Sequence, residues 1–214
     1  MKHSLWLYSV MAGLAIKDAV SAVIPHIFTL PADEQFAYVP EAARFLVFIV
    51  LIVRFYLGLT FFFQAAYFAE DSNLKYPKKS FTIDFLFGFV QLLFFFILAA
   101  SMEIHNSPPA IFRLVLAVIL LYDFFWVIAS SKLDTRRMIG MWASVNLLTL
   151  LLSFASFTIA VQFGLDPLRG EEIAFIFILL FSFIDIAEMT IQRRVFVFWL
   201  SQLIEEDGTS SARR

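Results

Sequence analysis

Lys17, Asp18, Arg54, Gln91, Asp123 and Asp185 each fall near the midpoint of a long apolar run. Asn146, Glu188 and Asp84 lie deeper toward one end of theirs. An ionisable group at mid-membrane depth is costly. It is expected to face a protein interior or a water-filled path, and it marks a functional site by default. The chemistry these residue types offer is the handling of a small cation. Asp185 and Glu188 are three residues apart, on one face of a helix, and two close carboxylates resist ionising together. Such a pair can pass a proton or hold a monovalent cation. Asp123 adds a third acid, with Trp126 one turn along. Arg54 is permanently charged and demands a carboxylate; Asp123 and Asp185 are its expected partners. Lys17 is placed to neutralise Asp18. The expected site therefore has Asp123, Asp185 and Glu188 as carriers or ligands, set in a charge network of Lys17, Asp18, Arg54, Gln91 and Asn146. The competing reading is a set of structural ion pairs that only fixes helix packing.

The elements that must position these groups are apolar. Hydrophobic residues make up 61% of the 214, with Phe alone contributing 28. A soluble domain has roughly 45–50%, so lipid must cover the excess. A membrane-spanning helix needs about 20 apolar residues. Six runs meet that length or approach it: Ser4–Leu30, Ala42–Phe68, Phe81–Ser101, Ala110–Ser130, Met138–Phe163 and Ile173–Thr190. None alternates with period two, which argues against barrel strands. Turn-forming residues fill the breaks, among them Pro31, Pro40, Asn73, Pro77, Pro109 and Gly170. The fold expected is all-α, a six-helix transmembrane bundle over residues 1–200 with a short polar tail at 201–214. Pro25 predicts a kink in the first helix, freeing the Ser21 carbonyl. Asp84, Gly88 and Gln91 form a stripe, Arg54 shares a face with Gly58, and Trp142 shares one with Asn146. The two glycines could let neighbouring helices approach closely.

Basic residues set the orientation. Lys2, Lys75, Lys78, Lys79, Lys132, Arg136, Arg137, Arg193, Arg194, Arg213 and Arg214 fall on one side, and only Arg44, Arg113 and Arg169 on the other. Both termini are expected on the cytoplasmic face of a multi-pass protein of the plasma (inner) membrane. A cleaved signal peptide ending near Ser21 and Ala22 is the alternative for the N-terminus, but Lys17 and Asp18 spoil it. A weak similarity between the starts of the second and fourth runs, each with an ionisable residue ten positions after an Arg, is better read as chance. Trp6, Tyr8, Tyr38, Trp142 and Trp199 look partly like interfacial anchors, and most Phe residues like lipid-facing bulk.

Several function classes are excluded by what is missing. The chain has no Cys, so disulfides and thiol catalysis are out. His3, His26 and His105 do not pair on a helix. No phosphate-cradling glycine loop, metalloprotease motif or nucleophile elbow occurs. No enzyme activity, metal or cofactor is expected, and a net charge of −2 argues against nucleic acid. The expected partners are the lipid bilayer, a small ion, and further copies of the chain in a homo-oligomer. The leading function is a channel or transporter for a proton or monovalent cation. The alternative is a non-transporting sensor of a lipophilic ligand, or an assembly subunit of a larger membrane complex.

Overall fold

The computed structural model describes residues 2–29, 39–63, 67, 78–102, 109–130, 136–164 and 171–191. Within them the chain is all-helical. Six helices follow in order: α1 Lys2–Thr29, α2 Val39–Phe63, α3 Lys78–Ala100, α4 Pro109–Ser130, α5 Arg136–Gln162 and α6 Glu171–Ile191. Helix is the state that satisfies every backbone polar group within one segment, as an apolar surrounding requires. The starts carry the expected signals. Pro109 opens α4, where a missing N–H costs nothing, and Glu41 sits in the first turn of α2 against the positive end of its dipole. After α5 the chain turns at Gly164, whose φ of 64° is the left-handed conformation that ends many helices.

Five of the six helices are long and apolar enough to cross a membrane. The exception is α5. It has 27 residues, but its apolar part is confined to Trp142–Ser156. Thr149, Ser153, Ser156 and Thr158 lower its hydropathy. Each folds its hydroxyl back onto a carbonyl three or four residues earlier, at 2.6 to 3.0 Å, which satisfies the polar group without a partner helix.

The second helix is the hub. It packs against α1 and α3, meets α4 through Phe62 and Trp126, meets α5 where Gly58 underlies Trp142, and is tied to α6 by ion pairs. Accordingly it is 56% buried over its apolar stretch, against 22% for α6. Two glycines make the close contacts. A Cβ on Gly58 would stand 2.8 Å from the Trp142 ring, and one on Gly88 would stand 2.9 Å from the Tyr8 hydroxyl. Tyr8 itself donates to the carbonyl of Phe85 at 2.5 Å. An aromatic seam of Phe48, Phe55, Phe62, Phe63 and Phe95 fills the space between α2 and its neighbours. Many phenylalanines therefore serve the core, while Phe125, Phe154 and Phe183 point outward.

Two sequence expectations need correction here. Tyr8 and Trp142 are core residues rather than interfacial anchors; Tyr38 and Trp199 lie outside the described residues, as does the tail at 201–214. Pro25 lies inside α1, which continues to Thr29. Pro25 also lies on the exposed side of the helix rather than beside an interior cavity.

Candidate functional site: a buried polar centre between α2, α4, α5 and α6

Arg54 is placed by α2 about 4 Å past the middle of its apolar stretch, counting about 1.5 Å per residue. By the same count Asp123 on α4 and Asp185 on α6 lie about 4 to 6 Å past theirs. The three helices begin on the same side of the bundle, so the three side chains reach a common depth. Asn146 joins them from α5, which runs the other way. All four are buried.

The geometry divides the two acids. Arg54 Nε donates to Asp185 Oδ2 at 2.5 Å, a pair with only 3% and 4% of the side chains exposed. Asp123 Oδ2 instead accepts from the Asn146 amide. Asp123 nevertheless lies within electrostatic reach of both Arg54 and Asp185. One guanidinium faces two carboxylates, which leaves one negative charge uncompensated when both acids are ionised. The Trp142 indole N–H lies near Asp123 but outside hydrogen-bonding geometry. Trp142 stacks edge-on against Trp126, one turn along α4 from Asp123, with ring centroids 5.7 Å apart.

Several buried polar atoms around this centre have no hydrogen-bond partner among the described residues. They are Arg54 Nη2, Asp123 Oδ1, Asn146 Oδ1, Ser182 Oγ, and the indole nitrogens of Trp126 and Trp142. Gln91 Oε1 on α3 is another. Buried polar groups in folded proteins are nearly always satisfied, and each exception calls for an explanation. The orphaned set here mixes donors and acceptors, as a site for water or a small hydrated ion would.

A cavity of about 390 Å³ approaches the centre between α4, α5 and α6. Arg113 and Glu171 line it near the starts of α4 and α6. Leu120, Leu150 and Ile178 line its deep part, and each lies one helical turn from Asp123, Asn146 and Ser182 respectively. From Arg113 to Leu120, and from Glu171 to Ile178, is seven residues, or about 10 Å along a helix. Between these ends the lining is apolar, with Leu116, Ala117 and Phe175.

Of the expected network, the structure brings together Arg54, Asp123, Asn146 and Asp185. Gln91 is buried at a similar depth on α3. Glu188 is half-buried one turn beyond Asp185, and Asp123 lies within electrostatic reach of Asp185. Asp84 accepts a hydrogen bond from Tyr67. Lys17 and Asp18 stand apart from all of these. They touch each other at 3.8 Å and remain 72% and 53% exposed, because the buried side of α1 is taken by Ala12, Ala15, Ala19 and Val23. Their expected place in the interior network is thus corrected.

Sequence reasoning missed one feature, a second ion pair between the same two helices. Arg44 makes a two-pronged contact with Glu171, Nε to Oε1 at 2.9 Å and Nη2 to Oε2 at 3.0 Å. The Phe112 ring lies under the guanidinium at 6.0 Å. Both residues look like loop charges in the sequence. The signal available was that each sits at the same end of two parallel helices. No family model, curated protein or solved structure matches the chain.

Proposed function

We propose that this chain moves a small cation, a proton or a monovalent metal ion, across the membrane by way of Asp123. The observation that carries this reading is the unbalanced buried centre: Arg54 pairs with Asp185, Asp123 is buried nearby with only the Asn146 amide on one oxygen, and Asp123 Oδ1 has no hydrogen-bond partner among the described residues. An uncompensated charge in so buried a place is costly, and uptake of one cation relieves it. Arg54 holds Asp185 as a fixed pair, so Asp123 is the exchanging member. Glu188 extends the acidic path toward the end of α6. The cavity between α4, α5 and α6 ends one turn from Asp123 and gives the approach from one side. In this reading α5 completes a six-span bundle. The termini face the cytoplasm, as the distribution of Lys and Arg favours, the plasma (inner) membrane is the location, and no chemical turnover takes place.

Flux into liposomes of the purified protein tests this. Under an imposed membrane potential, wild-type vesicles should acidify or take up a monovalent cation, and Asp123→Asn should abolish the flux. Wild-type vesicles that move nothing under any gradient would sink the transport reading.

A second reading rests on the cavity alone. Its lining is almost entirely apolar apart from Arg113, Glu171 and Ser153, which suits a lipophilic ligand with a polar end. Leu120→Trp should fill its deep end. Loss of binding of a hydrophobic probe, with ion flux unchanged or absent, favours a sensor of such a ligand.

A further inference from the structure

The outward face of α1 poses a problem that the polar centre does not solve. Lys17 and Asp18 lie near the middle of the apolar stretch Trp6–Pro25. Each is at least seven residues from either end, or about 10 Å. That is too far for an Asp side chain, and Lys17, eight residues from the nearer end, would have to reach about 12 Å. Their contact with each other at 3.8 Å leaves both exposed. Facing lipid tails, these groups would be strongly disfavoured. Something that is not lipid must cover this face.

We infer that it is covered by the same face of a second copy of the chain, the two α1 helices running parallel about a two-fold axis along the membrane normal. The charges are self-complementary in this arrangement. Successive residues on a helix are about 100° apart, so Lys17 and Asp18 flank a line down the face. A two-fold axis turns left into right across that line. Lys17 then meets the partner's Asp18, and Asp18 meets the partner's Lys17, with a depth offset of about 1.5 Å. The surroundings fit a close helix pair. Ser21 lies one turn after Lys17, is exposed, and falls within about 10° of that line. Small residues at such a point let two backbones approach. Val10 and Leu14 supply apolar contact on the same exposed side.

The experiment uses the full chain, purified and reconstituted in lipid vesicles, and relies on its lack of native cysteine. Ser21→Cys should cross-link to a dimer on mild oxidation, since Ser21 falls within about 10° of that line and a disulfide needs Cα atoms within about 7 Å. Leu114→Cys, on the lipid-facing side of α4, should not. In the Ser21→Cys background, Lys17→Asp alone and Asp18→Lys alone should each lower cross-linking by about ten-fold or more, the range of polar contacts between membrane helices. Mixing these two variants should restore it, because every contact across the axis is then Asp against Lys. The double exchange in one chain should also restore it. Recovery on mixing cannot come from misfolded protein. A monomer at every protein-to-lipid ratio would overturn the inference, and would point to a different single-span partner. Cross-linking that ignores the charges would overturn it too.

Discussion

At the scale of single residues, the strongest claims concern Arg54. Its pair with Asp185 is buried, and removing one member of a buried pair typically costs about 3–5 kcal/mol, because the other charge is stranded. Arg54→Ala should therefore lower the thermal melting point of the detergent-solubilised protein sharply. Replacing both members, Arg54→Met with Asp185→Leu, should recover most of that loss. If the double variant is as unstable as the single, the pair is not the unit that matters. Asp123→Asn should be close to neutral for stability, since an amide can keep its bond to Asn146. A variant that keeps its fold yet loses flux is what the proposed role of Asp123 requires. The ordinary role of a packing residue would give the opposite result.

At the scale of helices, Gly58 and Gly13 give a matched comparison. Gly58→Ala pushes a methyl against the Trp142 ring, where 2.8 Å separates the added Cβ from the nearest ring atom. Overpacking of this kind costs about 1–3 kcal/mol, and here it also shifts Trp142 relative to Asp123. Gly13→Ala meets nothing within 4 Å and should leave the fold of a single copy unchanged in the same melting assay. The helices themselves were readable from the sequence. The run Ala110–Ser130 became Pro109–Ser130, and Phe81–Ser101 became Lys78–Ala100, because apolar length alone demands helix in lipid. Helix facing was not readable. When both sides of a helix are apolar, its periodicity carries no signal, and only contacts decide that Lys17 looks out while Arg54 looks in. The pairing of Arg44 with Glu171 was hidden for a related reason. The two are 127 residues apart in sequence, and no local pattern links them. Asp123 and Asp185 were legible as candidates because their charge interrupts an apolar run, but their different partners, Asn146 and Arg54, came only from the packing.

At the scale of the whole molecule, the bundle is organised around α2, and its proposed orientation can be checked directly. A single cysteine introduced at Ala37, between α1 and α2, should react with an impermeant reagent added outside intact cells. One at Ser72, between α2 and α3, should react only after lysis, and the reverse pattern would invert the topology. The ion pairs between α2 and α6 bear on how such a chain can be made at all. Arg54 leaves the ribosome 131 residues ahead of Asp185. At about 5–20 residues per second, the arginine waits roughly 7 to 26 seconds for its carboxylate. During that interval α2 is a poor membrane segment on its own. It must linger at the insertion machinery, or beside Asp123, which is made sooner. A chain stopped before α6 would carry Arg54 into the bilayer without Asp185 and leave Arg44 with Glu41 alone, and cellular quality control should recognise and degrade it faster than the full-length chain.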